Sequence, residues 1–518
     1  FWSLSYHRNL LHIVFLFHAF HNLILTTMPK SKSLPPFVLT FISLILIVIG
    51  ISLQFIHSQL DSWTIDEPAH IKSGIEWFNT GKSPTDPYNP GLAKLPFAFI
   101  NKYHPNSLID PFLVIPRSVS IVIYGLLALV IFHWTKKHIS PQIAFFSTLL
   151  FTAEPILLAF GHLATTEIYS TLFFFFTIIF LINYFAKPNT TNTLCFWISF
   201  ALITSTKMIL IPSVIISLIF LGFHKRKFIT RLLHPKYIFF YLLLLWALHG
   251  FQVQQINHTH ISLPLGELFN TFARTITYVL DPKYNQTRLL VYMESVRGHG
   301  WWSYALVSLF IKSSLPLIFF SIMGVIKVPK SRKFFAVALS HFFIVTIGRY
   351  STGVRHLLPI YPFLIITASF GIHYLFKTRF KHIVSLVLII TLFSAVSLRD
   401  NLAYFNPLIG PKLGGKIVSD SSVDWGQSLN RLYLQHGNSF DYIAPHSLRI
   451  WHFYGFTASS LPLPSKLSPE AVAGKRIAIS RHIWYTQQYN KHPLFKEKIP
   501  EYAADHTYLI FDFKDSAN

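Results

Sequence analysis

Long apolar runs alternate with short polar gaps along this chain as far as residue 397. Many of the runs last about 18 to 23 residues, which is the length of an α-helix that crosses a bilayer and too long for a barrel strand. The pattern therefore predicts about eleven membrane-spanning helices. They are expected near residues 35–57, 112–134, 141–160, 167–186, 194–206, 208–223, 237–253, 302–326, 334–347, 357–376 and 382–397.

The pattern changes beyond residue 398, where the long apolar runs stop. The segments RIAIS and YLIFDF have the composition of strands, and WGQSLNRLYLQ has the apolar spacing of a helix. We expect an all-α polytopic membrane domain over residues 28–397 and a small α/β domain over residues 398–518. Residues 1–27 precede the first methionine, Met28, and we expect them to be an upstream translated or signal-like segment.

Composition agrees with a membrane protein. The 518 residues are 52% hydrophobic and only 13% charged, whereas a soluble protein carries roughly 25% charged residues. The formal net charge is +23, but the Lys and Arg residues are concentrated in short gaps between apolar runs. Such clustering reports membrane topology rather than a nucleic-acid-binding face, so nucleic acid is excluded as a partner.

The distribution of charge predicts the orientation in the membrane. Four basic gaps contain no acid and fall on one side if the spans alternate, and by the positive-inside rule that side is the cytoplasm. These gaps begin at Lys136, Lys225, Lys327 and Lys377. None of the 21 Asp and Glu residues falls in a cytoplasmic gap. We expect a multi-pass protein of the plasma (inner) membrane, with the loops 58–111 and 254–301 and the C-terminal domain outside the cytoplasm.

The first long loop opens with an acid pair, Asp66 and Glu67, directly after the first apolar run. Carboxylates this close to a bilayer are costly and are usually functional, and a base here could reach a lipid-linked substrate. Asp66 is also a good N-cap for a helix with Pro68 in its first turn, and a capping carboxylate is a rigidly placed one. The segments AHIKSGIEWF and LAKLPFAFI then predict two amphipathic helices on the membrane surface.

Several cations are expected on the same side of the membrane as this acid pair. They are Lys94, Arg117, Lys207, Arg297, Arg349 and Arg355. Arginine binds phosphate through a fork of donors in fixed geometry, so a group of these residues could hold a phosphate. Taken singly, each could instead contact lipid headgroups, and Lys94 could be a snorkelling side chain on a surface helix.

Further acids flank the spans or lie in the C-terminal domain. Glu154 and Glu167 bracket a short turn, which indicates either an acid-lined cavity or, for Glu167, a helix start. Asp420 and Asp424 have the spacing DxxxD, a weak metal signal that a turn before a capped helix explains as well. No compact set of metal ligands is evident, so the metal is unknown and the use of a divalent cation stays open.

Taken in order, the motifs of the chain resemble those of a known family. They are IDEPAH, NPGLAK, EPILLAFGHLATTE, GHGWWSYALVSLFIKSSLP, GVRHLLPIYPF and NLAYFNPLIG followed by SDSSVDWGQSL. Over residues 35–515 the chain resembles the prokaryotic membrane glycosyltransferases of family 39, which use polyprenyl-phosphate sugars and include protein O-mannosyltransferases and lipid A aminoarabinose transferases. The resemblance implies the glycosyltransferase C fold, with the active site on the outer face and a catalytic acid in the first external loop.

The resemblance also implies roles for individual residues. Asp66 matches the catalytic acid, and Glu67 is its neighbour. Lys94 matches the Lys that follows the family's HPPL element, and Arg355 is the Arg of the element that reads GVRHLLPIYPF here. Two positions depart from the family: Glu167 stands where relatives usually have Asp, and HPPL reads NPGL, which puts a His-dependent contact in doubt.

These roles predict displacement at the anomeric carbon of a polyprenyl-phosphate sugar, with mannose as one option. Asp66 would be the base for an acceptor hydroxyl or amine, and inversion follows from a single in-line step. The departing polyprenyl phosphate is a stable anion, so it needs cations more than a proton donor. The expected site residues are Asp66 and Glu67 as catalytic acids, Lys94, Arg355, Arg117 and Arg297 as phosphate ligands, and Glu167 and Glu154 as lining acids. The expected partners are this lipid-linked donor, a protein or lipid/glycan acceptor and the bilayer.

Two other classes of protein remain open from the sequence. A transporter or flippase could line a path with acids, although the acids cluster at one face and no broken-helix pair is evident. A non-catalytic envelope scaffold would leave Asp66 replaceable.

Overall fold

The computed structural model of the protein describes residues 35–104, 110, 112–280, 289–298, 300–348, 353–398, 400–447, 450–496 and 498–513. The segment 1–27 and Arg349, both named in the sequence predictions, lie outside the described residues.

Helices dominate the chain up to residue 397, as the apolar runs predict. They are α1 (Pro36–Leu60), α2 (Glu67–Thr80), α3 (Leu95–Tyr103), α4 (Val114–His138), α5 (Pro141–Ala153), α6 (Pro155–Phe160), α7 (Glu167–Ala186), α8 (Thr190–Thr204), α9 (Leu210–Gly222), α10 (Arg226–Leu232), α11 (Pro235–Leu248), α12 (Gly266–Leu280), α13 (Tyr304–Lys312), α14 (Leu315–Lys327), α15 (Arg332–Ile347), α16 (Tyr361–Phe376) and α17 (Lys381–Ser397). Several of them begin with Pro in the first turn, because Pro fixes a helical φ and its missing N–H is not needed there.

The helices have the properties of membrane spans. Within the residues that the structure describes, four segments are long and apolar enough to cross a bilayer, and two bent helix pairs raise this number to six. They are Pro36–Leu60, Val114–His138, Glu167–Ala186, Gly353–Phe376, and the pairs α10–α11 and α13–α14. Four shorter apolar helices accompany them: α5, α8, α9 and α17. Large apolar side chains such as Phe37, Val122 and Phe239 are exposed on these helices, which suits contact with lipid. The count of eleven spans stays a prediction.

Bent helix pairs are a feature that the apolar runs do not indicate. Helices α13 and α14 meet at an angle of 109°, and α10 and α11 meet at 45°. The sharper break falls at Ser313 and Ser314, where the hydroxyl of Ser314 accepts a hydrogen bond from the N–H of Leu317 and so starts a new helix. The residues Lys312, Ser313, Ser314 and Pro316 mark this break in the sequence, but a prediction from hydropathy alone takes no account of helix caps.

The C-terminal region contains short helices and strands, as predicted. The elements are β5 (Val418–Ser419), β6 (Tyr442–Ala444), β7 (Ser459–Ser460), β8 (Arg476–Ser480), β9 (Glu501–Ala503), β10 (Tyr508–Asp512), and the helices α18 (Gly410–Ile417), α19 (Leu429–His436), α20 (Pro469–Val472), α21 (Arg481–Thr486) and α22 (Pro493–Lys496). Five strands form a sheet in the order β7-β6-β8-β10-β9, in which β6 runs parallel to β7 and β8 and the remaining pairs are antiparallel. RIAIS and YLIFDF are therefore strands, as predicted.

The loop before α13 is structurally joined to this region. Its strands β1 (Val253–Gln255) and β2 (Ser262–Pro264) form a hairpin, while β3 (Leu290–Tyr292) pairs with both β4 (Ser295–Arg297) and β5. The predicted boundary near residue 398 thus separates strands that share one sheet. The division of the chain into domains stays a prediction.

The beginnings and ends of several helices meet at one end of the bundle. The end of α1, the start of α2, the start of α4 and the turn before α7 contact one another through hydrogen bonds described below. The 3-10 segment Gly353–Ile360, which leads into α16, packs against α7 and α15 there. The fold therefore brings together at this end acids and cations that are spread over some 300 positions of the sequence.

Candidate functional site

Asp66 and Arg355 form an ion pair at this end of the bundle. Asp66 occupies the N-cap position of α2, but its side chain makes no capping hydrogen bond. Instead, the Nη1 of Arg355 donates to its Oδ2 at 2.9 Å. The side chain of Asp66 is 26% exposed and that of Arg355 is 6% exposed, so the carboxylate is the part of the pair that an incoming molecule can reach.

Glu67 points in the opposite direction, into the protein. Its two carboxylate oxygens accept hydrogen bonds from the Nε and Nη2 of Arg117 at 2.8 and 2.7 Å. They also accept the backbone N–H groups of Ala164 and Thr64 at 2.8 and 2.9 Å. Burial by itself raises the pKa of Glu67, but Arg117 and the backbone donors outweigh it and hold the pKa below its ordinary value. Glu67 is therefore an anchored anion, and this geometry gives no support to its expected catalytic role.

Arg117 uses all of its donors within this anchor. In addition to Glu67, its Nη atoms donate to the carbonyl oxygens of Ser58, Asp61 and Ser62 at 2.7 to 2.9 Å. A guanidinium has five N–H groups, and here all five have acceptors. A phosphate could bind Arg117 only by displacing one of them, so the expected phosphate role of Arg117 finds no support in this arrangement.

Arg355 also contacts an aromatic ring. Its guanidinium carbon lies 4.5 Å from the centre of the Trp425 ring, within the range of a cation–π contact. Its backbone N–H donates to the hydroxyl of Ser422 at 3.3 Å. Both Trp425 and Ser422 belong to the C-terminal region, which therefore takes part in the site.

A second buried ion pair lies within electrostatic range of Arg355. Glu167, the first residue of α7, receives the ammonium of Lys207 at 3.3 Å, and both side chains are almost fully buried. Lys207 lies in the turn between α8 and α9. The charge of Arg355 acts on both members of the pair. Lys207 is thus a buried cation close enough to Arg355 for the two charges to interact.

Lys94 is enclosed in the first loop. Its ammonium lies 2.7 Å from the Oδ2 of Asp86 and donates to the Oγ of Ser73 and the carbonyl oxygen of Asn89, each at 3.0 Å. The Nδ1 of His70 lies 3.4 Å from the same carboxylate. Burial lowers the pKa of Lys94, although Asp86 opposes this shift. The expected contact of Lys94 with phosphate stays a prediction. Such a contact would require Lys94 to leave these partners.

The two remaining expected site residues lie in different surroundings. Glu154 sits in the break between α5 and α6, where its carboxylate accepts the N–H and hydroxyl of Ser314 at 3.2 and 2.7 Å. It thereby joins α6 to the start of α14. Arg297 is exposed on β4, with its guanidinium 5.0 Å from the ring centre of Trp301.

The DxxxD acids do not converge on one point. Asp420 accepts hydrogen bonds from the hydroxyl of Tyr304 and the N–H of Ser422, while Asp424 accepts the hydroxyl of Ser480. Within the described part of the chain, no group of three or more His, Cys, Asp or Glu side chains is placed to hold a metal ion. The role of a divalent cation stays open.

Comparison with known proteins connects this geometry to an activity. Residues 114–249, which run from α4 to α11, match the family model for dolichyl-phosphate-mannose-protein mannosyltransferases. The enzyme class is that of a glycosyltransferase, as the sequence predicts. The matched stretch contains Arg117, Glu154, Glu167 and Lys207.

The fold of the chain is similar to that of a solved structure. The crystal structure of ArnT from Cupriavidus metallidurans bound to undecaprenyl phosphate superimposes with a TM-score of 0.50 at 10% identity, covering 90% of this chain and 97% of that chain. The apo structure of the same protein gives 0.49 at 11% identity, with 91% and 97% covered. No curated protein sequence matches the chain significantly. The expected glycosyltransferase C type of fold is confirmed.

Sequence reasoning missed several charged groups of the site. Asp61 lies at the end of α1, between Arg431 at 2.6 Å and His162 at 2.9 Å. The rule that singled out Asp66, an acid next to an apolar run, could have found Asp61 too. Asp86, by contrast, lies in a polar loop and His70 lies within α2, and neither carries a signal in the sequence that would set it apart.

We predict that Arg117→Met destabilises the protein severely, because it leaves the buried Glu67 carboxylate without its cation. Breaking a buried pair in this way costs about 3 to 5 kcal/mol. Arg274→Met is the matched control, since the Arg274–Glu267 pair is partly exposed and such pairs contribute only about 0 to 1 kcal/mol. The measurement is the melting temperature of the purified protein in detergent. Equal losses in the two variants would contradict the anchoring role of Arg117.

We also predict an acid-dependent loss of stability that involves Asp86. Burial raises the pKa of Asp86, but Lys94 and His70 together hold it below its ordinary value, which is about 3.9 in an unfolded chain. A depressed carboxyl pKa stabilises the fold above that value, and this stability is lost as the pH falls below it. The melting temperature of the wild type should therefore fall more steeply than that of Asp86→Asn between about pH 5 and pH 3. Parallel curves would contradict this assignment.

Proposed function

We propose that the protein transfers a sugar from a polyprenyl-phosphate donor to a protein or lipid/glycan acceptor at the membrane face away from the cytoplasm. The family description of residues 114–249 names a lipid-phosphate sugar, and the solved relative with the same fold carries undecaprenyl phosphate. The apolar helices are long enough to cross a bilayer. The donor's lipid tail would then lie in the bilayer, beside the acids and cations at the end of the bundle.

A single observation carries this proposal: the Asp66–Arg355 pair at 2.9 Å. A displacement at the anomeric carbon needs a base for the nucleophile and a positive charge for the departing phosphate. Asp66, at the start of the first loop, supplies the base, and Arg355 beside it supplies the positive charge. Glu67 is excluded as the base under this proposal because its oxygens are occupied by donors on every side.

The reaction proceeds in one step in this proposal. Asp66 takes the proton of the acceptor hydroxyl or amine as the acceptor atom bonds to the anomeric carbon. The bond between that carbon and the phosphate oxygen breaks, and its electron pair leaves with the polyprenyl phosphate. Attack and departure on opposite faces invert the anomeric configuration. The sugar is mannose-like if the family description extends to the donor.

Arg355 exchanges partners during this cycle. In the absence of donor its Nη1 binds Asp66, which holds the carboxylate in place. A donor phosphate is a second anion that competes for the guanidinium, and moving Arg355 toward it frees Asp66 to accept a proton. The charge of Lys207 interacts with that of Arg355, so Lys207 would add positive charge to the site that receives the phosphate. A guanidinium suits this exchange because it can bind two anions through different edges.

The orientation follows from charge. The positive residues expected on the cytoplasmic side are those in the last turn of α4, between α9 and α11, and around the start of α15. With alternating spans, the start of α2 and the C-terminal region lie on the other side. Acceptors would then be components of the cell envelope.

We predict that Asp66→Asn lowers the transfer rate by about 10²- to 10⁴-fold, the range typical of a positioned general base, while donor binding persists. Glu294→Gln serves as the control, since this acid is 53% exposed and should leave the rate unchanged. The assay follows radiolabel from polyprenyl-phosphate sugars into protein or lipid of membranes that contain the enzyme. Equal rates for wild type and Asp66→Asn would remove Asp66 as the base. No transfer from any donor by folded protein would favour the transporter class.

We predict further that Arg355→Gln weakens binding of polyprenyl phosphate by about 10- to 100-fold, the loss expected when a charged hydrogen-bond partner is removed. Arg297→Gln is the comparison, because Arg297 is exposed on β4 and was also expected to bind phosphate. The measurement is the dissociation constant of labelled polyprenyl phosphate for the purified protein. A loss in Arg297→Gln with none in Arg355→Gln would transfer the phosphate role to Arg297.

A further inference from the structure

The segment Asp420–Gln427 of the motif SDSSVDWGQSL joins the C-terminal region to the reacting pair. From the sequence this motif is either a weak metal signal or a turn before a helix. In the structure the helix starts only at Leu429, and the residues before it form a loop after β5. Trp425 in the middle of this loop is 2% exposed, and Asp424 is fully buried. The mechanism proposed above makes no use of this loop.

The loop is bound to the chain segment that leads to Asp66. The N–H of Ile65 donates to the carbonyl oxygen of Trp425 at 3.0 Å, and the N–H of Ser62 donates to that of Gln427 at 2.8 Å. The side chain of Gln427 folds back and accepts the N–H of Trp425 at 2.8 Å. Because Ile65 immediately precedes Asp66, the loop fixes the backbone from which the Asp66 carboxylate extends.

The same loop contacts Arg355 at two points and passes close to the backbone at Gly353. The guanidinium lies over the Trp425 ring, and the backbone N–H of Arg355 binds the Ser422 hydroxyl. At Gly353, where the chain enters the segment with a φ of +71°, a Cβ atom would collide with the carboxylate of Asp420 and the hydroxyl of Ser422. The backbone can pass so close to the loop only because residue 353 is glycine.

The loop is in turn anchored in the C-terminal region. The carboxylate of Asp424 accepts the hydroxyl of Ser480 at the end of β8, and the carbonyl oxygen of Asp424 lies 2.7 Å from the Nδ1 of His446. Asp400 accepts the side-chain amide of Gln427 at 3.0 Å. These contacts give the loop one fixed conformation, which is what a residue that orients another side chain requires.

We propose that the Asp420–Gln427 loop is part of the catalytic centre and that Trp425 is the positioning residue that orients the Arg355 guanidinium toward Asp66. This inference rests on the proposed function for its catalytic consequence, whereas the contact between the two side chains is independent of it. With its guanidinium carbon 4.5 Å from the centre of the Trp425 ring, the Arg355 side chain is restricted in position, and the N–H edges turned away from the ring can meet anions. Those edges are the ones that bind Asp66 and, in turn, the donor phosphate.

The test compares Trp425→Leu with Trp425→Phe, using Trp484→Leu as the matched control. Trp484 is a half-buried Trp of the same region that stacks on Phe511 and lies in a different apolar cluster. Misplaced catalytic groups can cost about 10²-fold in rate, so Trp425→Leu should raise the KM for donor and lower kcat at least 10-fold. Trp425→Phe keeps an aromatic face and should recover most of the loss. Trp484→Leu should lower the melting temperature without changing KM.

A second measurement does not depend on the transfer reaction. The melting temperatures of Trp425→Leu, Arg355→Gln and the double variant form a cycle, in which contacting residues give losses that do not add. A double variant that melts well above the additive expectation supports the contact. Additive losses, or equal KM values for Trp425→Leu and Trp484→Leu in an active enzyme, would overturn the proposal. If the wild type neither binds nor transfers any polyprenyl-phosphate sugar, the proposed function fails, and the cycle alone then decides whether Trp425 orients Arg355.

Discussion

The buried ion pair between Glu67 and Arg117 is the constraint on which the site depends. A carboxylate near the end of a membrane span is costly to bury unless it is paired and hydrogen-bonded, and here two backbone N–H groups and two donors of one guanidinium bind it. The pair ties the end of α1 to the starts of α2 and α4 and to the turn before α7. Because Glu67 is fixed inward at the first position of α2, its neighbour Asp66 is directed away from it, toward Arg355.

Other acids near this anchor are also paired with cations. Asp61 is paired with Arg431, Glu167 with Lys207, and Asp86 with Lys94, and all of these side chains are mostly buried. Buried pairs of this kind add little net stability, but removing one partner is expensive. They therefore act to hold the loops and helix ends in one arrangement. Among the acids discussed here, Asp66 combines an ion pair with the side-chain exposure that a reacting base needs.

Much of the fold could be predicted from the sequence because it depends on local patterns. Apolar runs located the helices, and α7 and α17 begin and end within one residue of their predicted limits. The strands β8 and β10 followed from short apolar, β-branched segments. The break between α13 and α14 was missed because the spans were predicted from hydropathy, although the Ser314 cap and Pro316 are a local signal for a helix start.

The position of the candidate site could be predicted from the sequence, but the ion pairs within it could not. An acid after the first span pointed to Asp66, yet nothing local distinguishes Arg117, which binds Glu67, from Arg355, which binds Asp66 across 289 positions. The ring next to Arg355 is that of Trp425. It lies in a motif whose acids, Asp420 and Asp424, were noted in the sequence only as a weak metal signal. Partners over such separations are decided by the packing of the whole bundle, which periodicity does not encode.

A structure of the protein with bound polyprenyl phosphate would show whether Arg355 leaves Asp66 for the donor phosphate. We expect the guanidinium of Arg355 to lie within hydrogen-bond distance of the phosphate while it still contacts Trp425, and the Asp66 carboxylate to face the space next to the phosphate. A phosphate bound elsewhere, with the Asp66–Arg355 pair intact at 2.9 Å, would show that Arg355 does not exchange partners.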